Sequence, residues 1–155
     1  MPAQTSARAA AAPVPIDDDP DPALLNLIGE MDGEHVLLVG SNVLELMCAL
    51  LRRGAGEVTL LRPTVRPEPR TVDLAIIARV GSLDAAVTAI GHARRALTAA
   101  GRIVLGISAD PSGRLAQGLR RMLRLHGFSA IRVVPLADRT LFSAELPLFG
   151  SLAHH

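Results

Sequence analysis

The sequence has no Lys, Trp or Tyr, and only three Phe and one Cys among 155 residues. So few aromatics leave little on which nucleic-acid bases could stack, and a net charge of +1 excludes an electrostatic clamp on a phosphate backbone. The 16 positive charges are all Arg, which with the abundance of Ala reflects genome composition and also favours planar, bidentate anion contacts. Cys48 has no partner for an internal disulfide, so a reducing cytoplasm is expected. Long apolar runs are lacking too. Arg8 interrupts the Ala-rich start, which has no signal-peptide core, and no stretch approaches the roughly 20 residues of a membrane span. What is present, 49% hydrophobic and 20% charged residues, fits one globular domain.

Residues 1–20 combine Ala and Pro with Asp17, Asp18 and Asp19 and read as a disordered tail; residues 151–155 are a second tail, with His154 and His155 either natural or the start of a purification tag. Order is expected over 21–150. Asp21 and Pro22 form an N-cap and N1 pair for a short apolar helix ending near Gly33. Val36 to Val39 is a continuous apolar run, as a strand buried on both faces requires. Val43, Leu46, Met47, Leu50 and Leu51 then repeat at helical spacing up to Gly54.

Val58 to Leu61 reads as a second strand. Pro63, Pro67 and Pro69 make Arg62 to Arg70 a loop. Val72 to Ala78 is a third strand, followed by a helix capped by Ser82 with Leu83, Val87, Ile90 and Leu97 on its apolar face and Gly101 at its end. Arg102 to Ile107 is a fourth strand. Asp110, Pro111 and Ser112 lead into a helix carrying Leu115, Leu119, Met122 and Leu123 up to Gly127. Ala130 to Val134 and Thr140 to Leu146 close the chain as an antiparallel pair. Strands alternating with helices imply a mainly parallel sheet covered on both faces, with ligands bound outside the carboxyl ends of the strands. That places a site near Gly40 to Asn42, Arg62, and Ala78 to Ser82.

The layout resembles class I S-adenosylmethionine-dependent methyltransferases over roughly residues 21–149. VLLVGSN (Val36 to Asn42) is similar to their first strand and nucleotide loop, and VDLAIIAR (Val72 to Arg79) to the strand ending at their substrate side. Gly81 to Ile107 is similar to the helix, glycine turn and fifth strand, and the last two runs to the terminal antiparallel pair. The resemblance implies a three-layer Rossmann-like α/β fold. Ten residues, 62–71, stand where the family places a helix, a strand and a connection, so the usual third strand and its helix should be missing.

The resemblance also exposes losses. Of the family's acid-x-Gly-x-Gly-x-Gly loop only Gly40 matches; Leu38 stands in place of the acid, and Asn42 and Leu44 replace the second and third glycines. Arg62, a donor without acceptor capacity, replaces the acid that accepts from the ribose hydroxyls. The expectation is therefore a pseudoenzyme: a non-catalytic methyltransferase-like binding or interaction module without a cofactor. The competing reading is a divergent enzyme using S-adenosylmethionine (SAM), with Asn42, Ser82 and backbone groups as substitutes.

Gly40, Ser41, Asn42, Arg62, Arg79 and Ser82 are the candidate site, as a vestige of the donor pocket or as an anion site, with Arg62 and Arg79 near a helix start at Asn42. The plainer reading makes Gly40 an ordinary strand-to-helix turn and both arginines solvated rim residues. No catalytic residue is assigned. Cys48 reads as core rather than nucleophile. His35, His92 and His126 lack ligand spacing, so no metal is expected. Asp73 and Asp84 have ordinary places, a strand start and a helix first turn. Arg120, Arg121 and Arg124 read as a solvated face, with no nucleic acid or membrane as partner. Val58 to Leu61, deprived of its neighbouring strand, becomes a bare sheet edge that could pair with another protein or a second copy in a homodimer, unless the Pro-rich segment covers it.

Overall fold

The computed structural model describes residues 21–40, 43–61, 66–108 and 112–147. Both expected tails and the candidate residues Ser41, Asn42 and Arg62 lie outside the described residues, as do Asp110 and Pro111.

Asp21 opens the first helix, α1 (Pro22–Ile28), as anticipated: its carboxylate accepts from the Leu24 N–H at 3.2 Å while Pro22 supplies a preset φ. The helix stops earlier than Gly33, because Gly29 turns the chain at φ +71. Strand β1 (His35–Val39) follows, then α2 (Leu44–Arg52), β2 (Glu57–Leu60), β3 (Val72–Val80), α3 (Leu83–Ala96), β4 (Leu97–Ser108), α4 (Arg114–Leu125), β5 (Ser129–Pro135) and β6 (Arg139–Glu145). The strands form one sheet in the order β2-β1-β3-β4-β6-β5. The first four are parallel, and β6 runs antiparallel to both β4 and β5. The expected α/β class, the antiparallel end and the shortened β2-to-β3 connection are all present.

Two apolar cores separate the layers. On one face Leu24, Leu25 and Ile28 of α1 and Leu46, Ala49 and Leu50 of α2 pack with Val36, Leu38, Leu74 and Ile76. On the other Ala86, Ile90 and Ala93 of α3 and Leu119 and Leu123 of α4 pack with Leu37, Ala75, Ile77 and Leu105. Side chains alternate between the faces along each strand, which explains why β1 and β3 read as unbroken apolar runs.

Two expectations need correction. Helix α3 ends at Ala96, five residues before Gly101, and Leu97 is not on its apolar face but starts β4, buried opposite Val72. The face that α3 buries is Ala86, Ala89, Ile90, Ala93 and Ala96, while Leu83 and Val87 stay 40% and 38% exposed. Small side chains let the helix approach the sheet, an arrangement that a search for large apolar residues passes over. Between Leu97 and Arg102 the register shifts against β3, with Ala100 at φ +64. A Cβ on Gly101 would stand 2.9 Å from the Thr98 carbonyl oxygen, so glycine is what this tight bulge accepts.

Candidate functional site

The carboxyl ends of the parallel strands are where a doubly wound sheet binds ligands. Gly40 follows β1 there at φ +142, and a Cβ on it would touch the Ala78 Cβ and the Val43 Cγ1 at 3.4 Å each. Val39 and Ile77 are register partners, so Gly40 sits beside the last turn of β3, and Arg79 and Ser82 follow on the same edge. The structure thus brings Gly40, Arg79 and Ser82 to one edge.

Their individual roles are plainer than the sequence allowed. Arg79 lies within β3, which runs on to Val80, and is exposed. Ser82 is the N-cap of α3, its Oγ accepting from the Ala85 N–H at 3.2 Å. The α2 start has no side-chain cap; Val43 occupies that position.

Leu38, in place of the family's acid, is 0% exposed inside the α1–α2 core. It is packed hydrocarbon and reaches no ligand. At the end of β2 the Leu61 N–H donates to the Leu38 carbonyl at 2.9 Å, which extends the ladder one residue past the strand. The described residues that end β1 and β2, namely Val39, Gly40, Leu60 and Leu61, carry no carboxylate for an ammonium or a ribose diol. Of the donor's usual cradle the glycine turn fits and the acid positions do not.

Sequence reading missed an ion pair on this edge. Arg139, register partner of Ser108 at the end of β4, holds the Asp21 carboxylate through both Nη atoms. Hydrogen bonding to Asp21 raises the Arg139 pKa above its ordinary value, against the opposing pull of desolvation. Asp21 therefore both caps α1 and ties it to β6. At the opposite end Arg102 donates to the Glu30 carbonyl at 2.7 Å, to the Ile28 carbonyl, and to Glu34 Oε1 at 3.1 Å. Neither arginine stood out in the sequence, because their partners are 118 and 68 to 74 residues away.

Cys48 is exposed, which corrects its expected core placement: Leu46, Ala49 and Leu50 take the inner face of α2 and leave position 48 outside. Asp73 is occupied in the fold, its Oδ2 accepting from the His35 N–H at 3.0 Å. His126 Nδ1 donates to the Met122 carbonyl at 3.0 Å, at the C-terminus of α4. Among the described residues no three of His, Cys, Asp and Glu gather, and no helix is long and apolar enough to cross a membrane. A cleft of about 790 Å³ that the sequence did not suggest lies along Leu37, Thr59, Leu61, Pro67 and Thr71.

A six-stranded sheet of this order between two helical layers defines a Rossmann-like α/β domain closed by an antiparallel hairpin. No protein-family model matches the sequence, and no curated protein does. Among solved structures the chain is similar to an S-adenosylmethionine-dependent methyltransferase from Mesorhizobium loti, with a TM-score of 0.67 at 15% identity, over 84% of this chain and 99% of that one. It is similar also to the 1,6-didemethyltoxoflavin-N1-methyltransferase of Burkholderia thailandensis, solved with S-adenosylhomocysteine (TM-score 0.59, 16% identity, 85% of this chain and 80% of that one). A third likeness is to a protein from Bordetella parapertussis described as a possible exported protein, of whose length the chain spans 64% (TM-score 0.56, 12% identity, 77% of this chain). The fold is the class I methyltransferase-like fold, in a shortened form.

Proposed function

We propose that this chain is a divergent domain of the SAM-dependent methyltransferase type, which binds the methyl donor or its demethylated product at the carboxyl edge beside Gly40. The observation that carries this reading is topological: β6 lies antiparallel between β4 and β5, the terminal pair that the family resemblance implied, and the solved structures similar to this chain include proteins named as methyltransferases. In this reading the ligand is held at Gly40 and Ser82 through backbone and hydroxyl groups, with Arg79 beside it, and Ser41 and Asn42, which lie outside the described residues, are the further candidates. Fold alone does not carry activity, so the site decides.

A second reading is favoured by Leu38. A fully buried leucine at the acid position supports a non-catalytic binding module, on a scaffold that kept its packing while its ligand contacts were replaced. Calorimetry of the full chain with SAM and with S-adenosylhomocysteine separates the two. The first reading expects micromolar binding and amide NMR shifts at Gly40, Arg79 and Ser82. No heat and no shifts at millimolar ligand would remove it and leave the second.

A further inference from the structure

We infer that the free edge of β2 pairs with β2 of a second copy, antiparallel about a two-fold axis, joining two sheets into one. This inference is independent of ligand binding and rests on backbone geometry. The Glu57 and Leu61 N–H groups donate to the Glu34 and Leu38 carbonyls, so within the two-residue period of a strand Val58 and Leu60 turn their own N–H and C=O groups away from β1. Among the described residues nothing accepts or donates to them. Residues 67–71, the described part of the connection with backbone contacts, are engaged elsewhere. Arg95 Nε donates to the Pro67 carbonyl at 3.1 Å, and the Arg70 and Thr71 N–H groups donate to the Arg95 and Ala96 carbonyls, which ties residues 67–71 to the end of α3.

The edge is complementary to itself. With Thr59 opposite Thr59 of the second copy, Val58 faces Leu60 and Leu60 faces Val58, so each outward N–H meets an outward carbonyl in a hydrogen-bonded pair. No Lys, Pro or bulge guards the strand. Charge is compatible with this register: Glu45 and Arg52, seven residues apart, lie on one exposed side of α2, and a two-fold axis that sets the two α2 helices antiparallel turns the Glu45 end of each toward the Arg52 end of the other. Leu44, Leu51 and Leu60, at 70%, 48% and 43% exposure, all belong to α2 or β2 at this end of the molecule.

Sedimentation of the full chain over a micromolar concentration series should give a mass rising to twice 16.3 kDa. Val58→Pro removes only the outward donor, twice per dimer by symmetry, and should raise the dissociation constant about tenfold or more. Leu60→Lys, a charge on the seam, should give a monomer with an unchanged circular dichroism spectrum. If either variant fails to fold, hydrogen exchange on the unmodified chain still decides: the Val58 and Leu60 amides, unpaired in one copy, should become protected as the dimer forms. A monomer at every concentration overturns the inference, and so does a dimer in which those two amides exchange freely.

Discussion

Leu38 shows how much a single position decides. A carboxylate there would restore the family's pattern, yet the side chain is fully buried among Leu24, Val36 and Leu50 with no partner for a charge. Leu38→Asp should cost about 3–5 kcal/mol, the range for an uncompensated buried charge, read as a shift in the urea midpoint. A variant as stable as the parent would mean that the position opens to the carboxyl edge after all. Asp21 supports the opposite kind of test, because it has two separable roles. Asn caps helices as well as Asp does, so Asp21→Asn removes only the charge opposite Arg139, while Asp21→Ala removes the cap as well and should cost about 1 kcal/mol more. A base with a raised folded-state pKa keeps its stabilising charge at every pH below its unfolded value, and is lost only as pH climbs through the folded one. With no Lys or Tyr to titrate in between, the Asp21→Asn deficit should be equal at about pH 7 and about pH 10. A deficit that shrinks by pH 10 would show that Arg139 is not the partner that matters.

Elements were legible where a local signal and a buried face coincide. The Asp21–Pro22 cap, the run at Val36 to Val39 and the turn at Gly54 gave α1, β1 and the end of α2 directly. The end of α3 was not legible. Leu97 continues its apolar spacing and only pairing with Val72 in the sheet pulls it out of the helix, a tertiary effect that periodicity does not contain. The alanine face of α3 was hidden for a related reason, since burial there depends on close approach and not on side-chain size. Gly56 illustrates a contact between elements that is equally silent in sequence. A Cβ there would stand 2.7 Å from the Gly33 carbonyl oxygen, which is backbone and does not swing aside, while the Gly56 N–H donates to Glu34 at 2.8 Å. Gly56→Ala should therefore destabilise by about 1–3 kcal/mol by overpacking, although Ala for Gly ordinarily gains stability through the unfolded chain. Denaturant midpoints check the sign, and a stabilised variant would show that the α1–β1 turn yields.

At the scale of the whole molecule the topology was readable because βα alternation and the ten-residue gap after Leu61 leave few ways to arrange the strands. The candidate site was less readable, since Gly40 and Ser82 also serve the turn and the cap that any such fold needs. The same sheet order predicts a gradient of local stability. Strands β3 and β4 lie at the centre with helices on both faces, and Leu74, Ile76, Val104 and Leu105 are at most 1% exposed. At the far end β5 pairs only with β6, and none of its residues is buried. Local opening needs little burial to be undone at β5 and much at the centre, so amide exchange at Ile76 and Val104 should report global unfolding, while β5 amides exchange through sub-global opening. The free energy of opening should then respond steeply to denaturant at the centre and weakly at β5. Uniform protection from β3 to β5 would mean that the hairpin is welded to the central sheet by β6, and that the six strands unfold as one unit.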